Sequence, residues 1–98
     1  MLSVGTTVIG VGDFDRAVAF WTAALDYVPK RPITPDDDFM ILVPREGAGA
    51  WLALDVSTSP VQEHPRVHLD LENPDFVVLA DTEGNRFCVI DTSPGGAT

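Results

Sequence analysis

One stretch of this chain carries a helical period, and the apolar segments around it are short and β-branched. After Asp13, the residues Phe14, Ala17, Val18, Trp21, Ala24 and Leu25 recur at helical spacing, and the Asp13 carboxylate is placed to accept from the free amides of a first turn. That helix must cover one face of something. Pro29 lacks an amide donor and disfavours helical geometry at Val28, which predicts a helix end near Tyr27.

Strands supply the face. Thr6 to Val11 is β-branched and bounded by glycines, Phe39 to Val43 is apolar, and Trp51 to Val56 follows a glycine-bearing turn at Glu46 to Ala50. Pro29 to Asp38 holds three prolines and three consecutive aspartates, which permits an edge strand or an irregular loop. The first half therefore reads strand, helix, then two or three antiparallel strands. Ser57 to Arg66 is polar and proline-rich, a linker. Beyond it lie three strand candidates, Val67 to Leu71, Phe76 to Ala80 and Arg86 to Asp91. The last two are joined by Asp81 to Asn85, where Gly84 and Asn85 tolerate positive φ. The tail from Thr92 reads as frayed.

Ninety-eight residues supply one core, so a single domain spanning 1–98 is expected. Fifteen acidic against six basic side chains leave a formal charge of −9, a field that repels phosphate backbones and anionic headgroups. Nucleic acid and membrane surfaces are not expected partners. The single cysteine, Cys88, excludes an internal disulfide framework, and no segment approaches the ~20 apolar residues of a membrane span. The reading is cytoplasmic. Serine-nucleophile motifs, phosphate-binding glycine loops and Cys-x-x-Cys pairs are absent, and GVGDFD is too irregular for a dinucleotide fingerprint.

The segments GVGDFDRAVAFWTAALDY, VHLDL and FVVLADTEGNRFCVID, in that order, resemble the glyoxalase-like, or bleomycin-resistance-like, domains of the vicinal-oxygen-chelate superfamily. Thr82 stands where many relatives have proline. The resemblance implies an α+β fold of paired βαβββ modules, a curled mixed sheet around a concave pocket, completed in a homodimer. The first module would occupy about 1–56, the linker 57–66 and a shortened second module 67–92. Only Glu72, Asn73, Pro74 and Asp75 separate Leu71 from Phe76, so the second module lacks its helix and one strand. Alternation puts Val67, Leu69, Leu71, Phe87 and Val89 on the face that helix would cover. Either a partner subunit covers this face or a segment of chain is missing at the junction. The cost of a bare sheet face favours the second, and an intact mass matching 98 residues would contradict it.

The resemblance also implies where a divalent ion would be held in metal-using members: Thr6, a residue of the Trp51 to Val56 strand, His68 and Cys88. Thr6 is a poor ligand, and Cys88 stands where a glutamate is common. Asp55, His68 and Cys88 would suit zinc by donor type, but Cys88 as a small buried hydrophobe and His68 as a hydrogen-bonded pocket residue is the stronger reading, so no metal or other cofactor is expected. Alternation sets His68 and Asp70 on one face, a pairing able to move a proton near neutral pH, groups Trp51 with Ala53 and Asp55, and groups Cys88 with Ile90. Phe20, at the edge of the helical stripe, suits a subunit contact. The residues expected to touch a ligand are thus Trp51, Asp55, His68, Asp70 and Cys88. Trp51 offers an apolar surface for an aromatic or cationic molecule, with Asp55 and Asp70 supplying negative charge. The expected function is binding of a small hydrophobic or cationic molecule without metal. The alternative is a divalent-metal-dependent lyase, isomerase or dioxygenase built on His68, Asp55 and Cys88.

Overall fold

The computed structural model describes residues 1–73, 77–84 and 86–91, with backbone alone described at 73, 77–80, 86 and 88–91. They form two compact units that part between Ser59 and Pro60, inside the predicted linker. The protein is α+β.

The first unit runs β1 (Thr6–Val11), α1 (Phe14–Leu25), β2 (Tyr27–Pro29), β3 (Phe39–Pro44) and β4 (Trp51–Val56), a βαβββ order. Its strands form one mixed sheet in the order β1-β4-β3-β2, with β1 parallel to β4 and the other pairs antiparallel. A parallel pair needs a crossover, and α1 with β2 and β3 supplies it. The helix packs against β2 and β4. Its stripe, Ala17, Val18 and Trp21, is buried together with one sheet face made of Val11, Met40, Leu42, Leu52 and Leu54, each at most 8% exposed. The register explains this partition: Leu52 lies opposite Leu42 and Leu54 opposite Met40, so the alternating large apolar residues of β3 and β4 share a face. The Phe20 ring sits at the edge of the stripe and meets Trp21 edge-on, centroids 5.0 Å apart.

Both helix ends follow from local chemistry. The Arg16 amide donates to the Asp13 carboxylate at 3.1 Å, the cap expected from sequence. The helix stops at Leu25, earlier than the position of Pro29 suggested. Asp26 turns into the left-handed region (φ 54°, ψ 46°), and its amide donates back to the Thr22 carbonyl. Arg45, just past β3, donates from its backbone to the Asp26 carbonyl at 3.2 Å and from Nε to its carboxylate at 2.9 Å. This early turn frees Tyr27 to Pro29 for β2, so the edge strand reaches only the first residue of Pro29 to Asp38, the segment whose composition permits an edge strand or an irregular loop. Pro29 is tolerated there because β2 is the sheet's outer strand.

The second unit contains β5 (Leu69–Asn73), β6 (Val77–Ala80) and β7 (Arg86–Asp91) in the order β5-β7-β6. Its first strand is parallel to its last, and the last is antiparallel to the one before it, as in β1-β4-β3 of the first unit. Among the described residues this unit has no helix and no fourth strand. Asp81, 7% exposed, shapes the β6–β7 turn by accepting from Glu83 at its carboxylate (2.9 Å) and from Gly84 at its carbonyl (3.1 Å). Gly84, at φ 85°, provides the positive φ that the turn needs. Phe76, Asn85 and the tail from Thr92 lie outside the described residues.

Two expectations change. β5 begins at Leu69 because its pairing with β7 begins there, opposite Phe87, which leaves Val67 and His68 ahead of the strand. Val67 is 85% exposed and does not belong to the predicted apolar face. Nor is that face uniformly bare: Phe87 is 5% exposed, and Leu69 and Leu71 are half-buried. The side chain of Val89 lies outside the described residues.

Candidate functional site

The first unit's sheet has a second face, the one α1 does not cover. Because side chains alternate, Trp51, Ala53 and Asp55 of β4 point there, with Val8 of β1 and Ile41 of β3 flanking Ala53 in register and Phe39 opposite Asp55. Ala53 is fully buried, while Val8, Phe39 and Trp51 keep 53%, 39% and 38% of their surface exposed. Large apolar side chains thus stand exposed around a small, buried alanine. Single exposed apolar residues need no explanation, but a group of them on one sheet face marks a surface suited to an apolar ligand.

The face also carries a cation that the sequence reading did not single out. Lys30 lies one residue beyond β2, held in line by its amide donating to the Ile41 carbonyl at 2.8 Å. Its ammonium stands 4.3 Å from the centroid of the Trp51 ring, a cation–π contact. The ring expected to receive an aromatic or cationic ligand therefore already holds a cation of the chain itself. Reading residues 29–38 as either an edge strand or an irregular loop left this concealed, because the contact joins residues 21 positions apart through the β2–β3–β4 pairing.

The loop after Lys30 is ordered by charge. Arg31 makes a two-point contact with Asp37 (2.9 and 3.1 Å) and donates to the Phe39 carbonyl at 3.2 Å, so the pair fixes the entry to β3 and with it one edge of the open face. The Thr34 amide donates to the same carboxylate at 2.6 Å. The Arg31 hydrogen bonds, then the Thr34 amide, hold the Asp37 carboxyl down at about 2 against an ordinary 3.8. A depressed carboxyl stabilises the fold above its unfolded value and loses that contribution as pH falls through 3.8 toward about 2. Thermal melts of the protein and of Asp37→Asn should therefore differ near neutrality and converge below about pH 2. A gap that stays constant down to that pH would contradict this assignment.

In the second unit, His68 Nε2 lies 3.1 Å from Asp70 Oδ1, with the two side chains 45% and 48% exposed. The predicted pairing is present even though His68 stands just before the strand. Asp70 is opposite Cys88 in the β5–β7 register; the Cys88 side chain lies outside the described residues, as does that of Ile90.

Within the first unit, Thr6 and Asp55 are not placed to share a divalent ion. Thr6 lies opposite Trp51, whereas Asp55, the carboxylate of that strand, lies opposite Gly10. Four residues along a strand separate those levels by ~13 Å, too far for one ion to bridge. Among the described residues, no group of three or more His, Cys, Asp or Glu side chains is disposed to hold a metal ion. Nor, among them, is any helix long and apolar enough to cross a membrane.

No curated protein matches the chain. A family model described as Glyoxalase-like domain matches residues 6–76, from the first residue of β1 to the residue before β6. The match spans more than two thirds of the chain and contains the whole βαβββ unit, and the chain belongs to the glyoxalase-like domain family.

Proposed function

We propose that this glyoxalase-like domain binds a small, planar, largely apolar molecule on the sheet face opposite α1, without a metal ion. The observation that carries the reading is the group of exposed side chains Val8, Phe39 and Trp51 around the buried Ala53. Covering such a face with an aromatic ligand removes apolar surface from water at ~25 cal/mol per Å². The site chemistry favours an aromatic over a cationic ligand, since Lys30 stands on the Trp51 ring and repels a second positive charge. The separation of Thr6 from Asp55 supports a site that works without an ion bridging those two positions.

Titration of the neutral probe 2-naphthamide into protein held in EDTA tests this. Saturable binding that is unchanged on adding zinc or manganese in excess of the chelator is expected. Binding that appears only with the divalent ion would overturn the proposal and favour a metal-dependent lyase, isomerase or dioxygenase.

A further inference from the structure

Four cationic side chains lie in the first unit, and three of them face carboxylates: Arg16 with Asp13, Arg31 with Asp37 and Arg45 with Asp26. Lys30 is the exception. Among the described residues no carboxylate lies within 4.0 Å of its ammonium, which rests on the Trp51 ring instead. The Trp51 indole N–H likewise has no acceptor among the described residues, and the ring is 38% exposed. A chain with a formal charge of −9 has carboxylates in excess, so a lysine kept from them on an open aromatic surface is an uncommitted donor.

We propose that Lys30 and Trp51 form an anion-accepting corner of the open face, and that the ligand is a planar aromatic molecule bearing one carboxylate. This rests on the reading that the face opposite α1 is the ligand site. The aromatic body covers Ala53 and the exposed edges of Val8 and Phe39, while the carboxylate accepts from the Lys30 ammonium. A single negative charge fits better than a doubly charged phosphate, because one ammonium must offset the repulsion of the surrounding acidic field. Asp55, on the same face at the level of Phe39, sets the polarity: it repels the acid end and leaves that end at Lys30.

The test compares 2-naphthoate with the neutral 2-naphthamide on the intact chain, following the Trp51 indole N–H resonance, in the natural protein, Lys30→Met and Lys30→Arg. The readout is the ratio of the two affinities within each protein, which general damage to the site does not change. The natural protein should prefer the carboxylate by about fivefold, the scale of a solvent-accessible ion pair. In Lys30→Met the ratio should fall to one or below, and in Lys30→Arg the preference should return. Equal affinities in the natural protein, or a preference that survives Lys30→Met, would overturn the anion corner while leaving the ligand face standing. Failure of both probes to bind the natural protein would overturn both.

Discussion

Replacing Trp21 with alanine should cost the first unit about 3–5 kcal/mol, the largest loss expected from any single substitution in it. The side chain is 1% exposed and is the largest of the fully buried ones among the described residues. It sits in the middle of the helix stripe, in the layer shared with Met40, Leu42 and Leu54, so its removal leaves a void that a helix anchored at Asp13 and Asp26 cannot close. Small domains have only about 5–15 kcal/mol in total, and each kcal/mol moves the melting temperature by roughly 4–8 °C at this size. Thermal melts followed by circular dichroism should show Trp21→Ala unfolding at least roughly 12 °C below the natural protein. A shift of a few degrees would mean that the helix–sheet layer is not the main core.

The same substitution at Trp51 should do the opposite: hardly move the melt, yet weaken 2-naphthamide binding about thirtyfold or more. Trp51 keeps more than a third of its surface in water, and its polar contact is the exposed cation–π pair with Lys30, worth about 0.5–1 kcal/mol. A ligand stacked beside the ring buries what remains, and losing a central aromatic anchor of that kind costs about 2 kcal/mol or more in affinity. Calorimetric titration alongside the melt separates the two effects. A Trp51→Ala protein that melts far lower and binds normally would exchange the roles assigned to the two tryptophans.

The difference between these two residues shows what was legible beforehand. Trp21 belongs to an apolar stripe with a helical period, and a stripe of that width declares its buried side through local spacing alone. The Asp13 cap and the β1, β3 and β4 segments were legible for the same reason: each depends on neighbours within a few positions. Lys30 was not, because its contact depends on where β2 ends. That in turn depends on Asp26 adopting a left-handed turn that no glycine advertised. His68 illustrates an intermediate case. Its pairing with Asp70 follows from two residues of spacing, whereas its place outside β5 is set by the start of the partner strand at the Phe87 level. Alternation correctly separated the two faces of β4, and register then decided against Thr6 and Asp55 sharing an ion.

The face opposite α1 as the ligand site is tested most directly by mapping amide, methyl and indole shifts during titration with 2-naphthamide. Shifts concentrated at Val8, Ile41, Ala53 and the Trp51 indole, with Ala17, Leu54 and the Trp21 indole unmoved, are the predicted result. Shifts that leave Trp51 and Val8 unmoved and gather elsewhere on the chain would contradict it.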